Sequence, residues 1–221
     1  EYNLSVGVTA LDAVTTGDAN IAIGHDALSA NTTGSGNLAI GYGAYDNADT
    51  EGNNMAIGRD ALGGSINGGE TNIAIGNYSL DANTSGDLNI GLGYVSLTQN
   101  STGSSNVGIG NSAMQLNQTG SSNTTLGNNS MKSSLSSSYN TAVGAEALFD
   151  ANRTADTDGY KTALGYNAGN TGTNDITTGN KNTLLGASTA ASAAAGRSPD
   201  RKVAASSALS TAEAPAARAP L

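Results

Sequence analysis

The chain has 221 residues with no Cys, no Trp, one Phe (Phe149) and 30 Gly, a charged fraction of 12% and a net charge of −9. Too few large side chains are present for a conventional globular core, because such side chains supply most buried area; charge is too sparse for the usual disordered composition, and without Cys there are neither disulfides nor thiolate metal sites. No apolar run approaches the roughly 20 residues of a membrane helix, and through Met131 eleven acids face one base, Arg59, so neither direct membrane insertion nor nucleic-acid binding is expected.

A nine-residue phrase then recurs along the chain. "NIAIGHDAL" at residue 20 is followed by "NLAIGYGAY" at 37, "NMAIGRDAL" at 54, "NIAIGNYSL" at 72 and "NIGLGYVSL" at 89. Taking its Asn as the first slot, eleven copies begin at Asn3, Asn20, Asn37, Asn54, Asn72, Asn89, Asn106, Asn123, Asn140, Lys161 and Asn182. The spacings are 17, 17, 17, 18, 17, 17, 17, 17, 21 and 21. Such self-similarity marks an array of stacked units.

Alternation across "N-x-A-I-G" predicts a short strand opening each copy, with the second and fourth slots on one face and the third on the other. The fourth slot is always aliphatic, including Ile23, Ile40, Ile57, Ile75, Leu92 and Ile109, and the ninth is Leu, Met or Tyr in nine copies. The second slot drifts to Thr in later copies (Thr124, Thr141, Thr162, Thr183). That pattern assigns the fourth and ninth slots to the interior, so the six aliphatics form a structural core column, and the second slot to a partly covered face. The third slot, mostly Ala, Gly or Thr, is where a neighbouring chain would come close. The fixed Gly of the fifth slot and spacers such as "SANTTGSG" argue against helix. Two short strands and two turns per copy describe one coil of a parallel β-solenoid, with stacked Asn residues forming amide ladders. About eleven coils of 17–21 residues would span 1–190, a rod on the order of 50 Å long. Residues 191–221 hold all three Pro (Pro199, Pro215, Pro220) and read as an Ala-, Pro- and Arg-containing flexible tail.

A lone roll this thin orders many residues around few large side chains, so side-by-side association is expected on physical grounds. The repeats "NIAIG", "NLAIG", "NMAIG" and "NTAVG", each followed by a small residue and most often Leu, resemble the head repeats of trimeric autotransporter adhesins, the YadA-like family. Similar repeats occur in some phage tail fibres. The resemblance implies a left-handed β-roll and a homotrimer carried on a bacterial surface through an anchor outside this segment, binding a host or environmental ligand, protein or glycan. Its alternative is a virion tail-fibre shaft serving host attachment. The repeat here is longer than the family's usual unit, which implies larger outer turns.

Chemistry of other kinds finds little footing. His25 is the sole histidine, in a sixth slot that varies freely, and reads as an exposed residue without a chemical role. No enzyme activity and no cofactor are expected. The acidic turns "DANTSGD" (81–87) and "DTDG" (156–159) bear a faint likeness to calcium loops, with Asp81, Asn83 and Asp87 the first residues to test, although Asp and Asn are also ordinary turn formers. Tyr42, Tyr94 and Tyr166, all in the sixth slot, are the candidate ligand-facing residues.

Overall fold

A computed structural model describes residues 2–64, 67–150, 159–170, 182–188 and 202–205. Every copy of the repeat begins with a strand: β1 (Leu4–Val6), β2 (Ile21–Ile23), β3 (Leu38–Ile40), β4 (Met55–Ile57), β5 (Ile73–Ile75), β6 (Ile90–Leu92), β7 (Val107–Ile109), β8 (Thr124–Leu126), β9 (Thr141–Val143), β10 (Thr162–Leu164) and β11 (Asn182–Leu185). A twelfth, β12 (Lys202–Ala205), pairs in parallel with β11. All twelve lie in one sheet in sequence order, and all pairs are parallel. Register follows the repeat, with Met55, Ala56 and Ile57 beside Ile73, Ala74 and Ile75. The protein is an all-β parallel solenoid, and the described residues contain no helix.

One expectation is corrected here. Among the described residues the outer part of the coil does not form a second strand; it runs as turns joined between coils by single carbonyls, as Thr32 O accepts from the amides of Thr15, Thr16 and Gly17. The 191–221 segment contributes Lys202–Ala205 to the sheet. Its remaining residues lie outside those described.

The interior differs from the expected one in an informative way. Alternation holds, but the small third slot points inward and the bulky fourth slot points outward. Ala22, Ala39, Ala56, Ala74, Ala142 and Ala163 are fully buried, as are the ninth-slot Leu28, Leu62, Leu80, Leu97, Met114 and Met131. By contrast Ile23, Ile40, Ile57, Ile75 and Ile109 are only half-buried, and Leu92 is exposed at 40%. The supposed core column therefore sits on the outer face of the sheet in the single chain. The reason is volume. A coil this small has room for one bulky column, and the ninth slot fills it; a second from the strand would overpack the interior.

The small third slot makes its close contacts inside the coil. A Cβ on Gly91 would lie 2.4 Å from Ser79 Oγ and 3.3 Å from Leu80 Cγ; one on Gly108 would lie 2.9 Å from Ser96 Oγ. At Ser79 and Ser96, eighth-slot residues of the preceding coil, the third slot opposite is Gly; Ser130 faces Ala142 and turns its hydroxyl to Gly127 O instead. Where the eighth slot is Ala61, the third slot is Ala74. The Ser79 and Ser96 hydroxyls occupy the space that a methyl leaves, and donate to the carbonyls of Gly91 and Gly108 at 3.0 and 2.8 Å.

Buried Asn side chains complete the stacking. Asn89 Oδ1 accepts from Asn106 N at 3.0 Å, and Asn89 Nδ2 donates to Gly103 O at 2.8 Å; the same pair of bonds recurs at Asn72 and Asn106. The expected amide ladder exists, chiefly as a bond from each side chain to the next backbone amide. A second ladder, not anticipated, runs through Asn83, Asn100 and Asn117, with side-chain bonds of 3.0 and 2.7 Å. It ends where the following coil offers Ser134, and Asn117 Oδ1 is left without a partner there. Asn31 Oδ1 is stranded in the same way beneath Ala48.

At the fifth slot the backbone turns away from the strand with φ near the mirror-β region, as at Gly93 (φ 139). A Cβ there would lie 2.4 Å from Gly110 O. Only Gly satisfies both the angle and the contact.

Replacing Asn106 with Ala orphans the Asn123 amide inside the stack, a cost of about 1–3 kcal/mol, while Gly120 O keeps its bond from Asn117 Nδ2. Leu97→Ala removes a fully buried ninth-slot side chain and costs about 2–5 kcal/mol. Urea unfolding followed by circular dichroism measures both, and a midpoint shift near zero for either variant contradicts this interior.

Candidate functional site

The sixth slot follows the glycine corner, so its side chains leave the coil at an edge and face outward. The seventh slot is left-handed even with a side chain, as at Asp26 (φ 58) and Asp60 (φ 51). Because coils superpose, sixth-slot residues of successive coils stack into a row. His25 lies over Tyr42 with ring centroids 5.3 Å apart and planes 13° from parallel. The Arg59 guanidinium carbon lies 5.1 Å from the Tyr42 centroid. Tyr42 is thus flanked by the side chains that precede and follow it in the row, His25 and Arg59.

Each of those flanking groups is held by the acid beside it. His25 Nδ1 is 2.6 Å from Asp26 Oδ2, and Arg59 Nε is 3.2 Å from Asp60 Oδ2. These exposed pairs fix orientation more than they add stability. The Thr9 hydroxyl also bonds to Asp26, not to the imidazole. The cluster therefore lacks the nucleophile–base contact that hydrolytic chemistry requires.

Tyr42, Tyr94 and Tyr166 are all exposed, at 52%, 53% and 59%. They occupy one row but are not brought together: Arg59 and Asn77 separate Tyr42 from Tyr94, and Tyr166 lies further along. Tyr94 instead meets Tyr78 edge-on at 6.2 Å. A further stacked pair, Tyr139 and Tyr160 at 5.0 Å, lies just ahead of the Asn column. Residue-type scanning overlooks these pairs. Slot-by-slot alignment of successive coils pairs Tyr139 with Tyr160, since both precede a first slot, but not Tyr78 with Tyr94, which occupy the seventh and sixth slots. His25 is exposed as expected, yet it belongs to the stack.

Of the residues singled out for calcium, Asn83 is buried in the second Asn ladder and spends its amide on Gly86 O at 2.9 Å. Asp87 Oδ1 accepts from Glu70 N at 2.8 Å. Residues 156–158 lie outside those described. Among the described residues no group of three or more His, Cys, Asp or Glu is placed to hold a metal ion.

A line of acids runs beside the row. Burial holds the Asp46 carboxyl above the usual carboxylate range, and Asp60, Asp26 and Asp81 reinforce the effect. Burial likewise raises Asp81, with Asp60 adding to it. Deeper inside, the Tyr45 hydroxyl is raised well beyond the ordinary phenol range by burial and then by the charge of Glu51; Asn54 Nδ2 donates to it.

Compared with known protein families, curated proteins and solved structures, the chain has no match. The fold and the site define its class: a repeat protein whose side chains form continuous rows along a solenoid.

Since Asp46 and Asp81 bind protons more tightly folded than unfolded, their contribution to stability is fully present below the ordinary aspartate value of 3.8 and is lost as pH rises through the raised values. Asp46→Asn should therefore raise the thermal midpoint at neutral pH, with the difference from wild type shrinking as pH falls toward 3.8. An unchanged gap across that range contradicts the assignment.

Proposed function

We propose that this chain is the head segment of a non-enzymatic, homotrimeric surface adhesin. Three rods pack side by side through the outer face of the sheet and present the sixth-slot row to a protein or glycan ligand outside a bacterial cell. One observation carries this reading. The second and fourth slots place two aliphatic columns, broken only by Thr in the second slot of later coils, along the whole sheet, and much of that surface is bare in the single chain: Val6 54%, Ile21 38%, Leu126 49%, Leu164 50%. A contiguous apolar surface of this kind marks an interaction site. Copies of the same chain are the partner that matches it in length and in repeat spacing. The resemblance of the repeats to trimeric adhesin heads supports the same arrangement, and the row of stacked aromatic and charged groups supports a role in contact, not catalysis.

Sedimentation equilibrium of the full chain at micromolar concentration should give three times the chain mass. Replacing Ile75 and Ile109 together with Lys should yield a monomer that keeps its strand signal in circular dichroism, because both side chains lie outside the coil. Wild type sedimenting as a single folded chain, or the double variant remaining trimeric, would overturn the proposal.

A further inference from the structure

The coil that starts at Asn54 is one residue longer than its 17-residue neighbours, and "NGG" falls in its outer turn. Asn67–Gly68 is the only Asn-Gly pair in the sequence. Both residues are exposed. Gly68 has φ 105, and no atom lies within 4 Å of where a Cβ would stand. Its backbone N–H donates to Glu51 Oε1 at 2.8 Å. Glu51 occupies a slot that holds Gly in neighbouring coils (Gly34, Gly86) and is buried to 5% exposure. Its other oxygen accepts from the amides of Asp49 and Thr50 at 3.2 and 3.1 Å, which fixes the carboxylate in place.

We propose that Asn67 is a self-modifying site, with Glu51 as the base. The Gly68 nitrogen attacks the side-chain amide carbon of Asn67 while its proton passes to Glu51. The new N–C bond closes a five-membered succinimide. The bond from Cγ to Nδ2 then breaks, the proton returns from Glu51 to the departing nitrogen, and ammonia leaves. Solvent water opens the ring at either carbonyl, giving aspartate or isoaspartate and restoring the Gly68 N–H. Nothing is oxidised or reduced.

Several features select this position. A base within hydrogen-bond reach of the proton it removes is the geometric requirement for general-base chemistry. Other exposed asparagines precede residues with a Cβ, as Asn47 precedes Ala48 and Asn111 precedes Ser112. The ladder asparagines are buried, with their amides committed to carbonyls. The turn also ties coils together, since Asn67 N donates to Thr84 O at 2.7 Å in the following coil while Gly68 reaches back to Glu51. The isoaspartate product adds one carbon to the backbone between those two ties and places a new negative charge near Glu51. Modification therefore loosens this coil with age.

Folded full-length chain is incubated at neutral pH and sampled by peptide mapping with mass spectrometry, resolving aspartate from isoaspartate at position 67. The same chain in urea and the Glu51→Gln variant are followed in parallel. Asn67 should convert before every other Asn, faster folded than in urea, and about tenfold or more faster than in Glu51→Gln. Equal or slower conversion in the folded chain overturns the proposal, as does a wild-type rate in a Glu51→Gln variant with an unchanged circular dichroism spectrum. If Glu51→Gln does not fold, the comparison of folded with unfolded wild type decides alone.

Discussion

A close contact between one coil and the next recurs at the glycine corner, and the rest of the rod is arranged around it. There the amide of one glycine donates to the fourth-slot carbonyl of the coil before, as Gly93 N does to Ile75 O at 2.8 Å. The next glycine carbonyl lies where a side chain would otherwise begin. This fixes the coils at strand spacing. Every other position then has to stack on its own copy, because a displaced coil would lose its backbone bonds along the full strand. Columns of like residues are a consequence of that approach, not an independent device.

With superposition imposed, the cross-section can hold little. One bulky column from the ninth slot, a third-slot column of mostly methyls or hydrogens (Thr125 and Leu184 among the exceptions) and a small eighth slot fill it. Volume changes in step at Ser79 with Gly91 and at Ser96 with Gly108, where the Ser hydroxyl fills the space beside the glycine. Buried asparagines satisfy backbone groups that a longer strand would satisfy by pairing, which lets three-residue strands suffice. The aliphatics left over cannot enter, so they line the outside of the sheet. The surface that calls for a partner is thus produced by the smallness of the interior.

The same superposition shapes the candidate site. Sixth-slot residues are free to vary because they lie outside the coil, where they meet solvent, their copies above and below and the seventh slot. Where consecutive copies supply His25, Tyr42 and Arg59, stacking orders three long side chains that would be mobile on an ordinary surface. Asp26 and Asp60 hold the outer two from the side.

The repeat, its period, the strand at its start and the parallel stacking were all legible in the sequence, because each is a property of spacing. The glycine corner and the first Asn column were legible too, since the same residue returned at one slot in nearly every copy. Which face of the strand is inside was not. Alternation separates Ile57 from Ala56 but is silent on direction, and the usual preference for burying the larger residue points the wrong way here. The row of stacked groups was half legible: its slot was recognised, but the pairing of Tyr42 with His25 and Arg59 needed the neighbouring copies to be laid side by side. Spacing alone thus determined that the chain stacks upon itself. Only the folded coil decided what lies within, because that choice depends on the volume enclosed, which no single strand encodes.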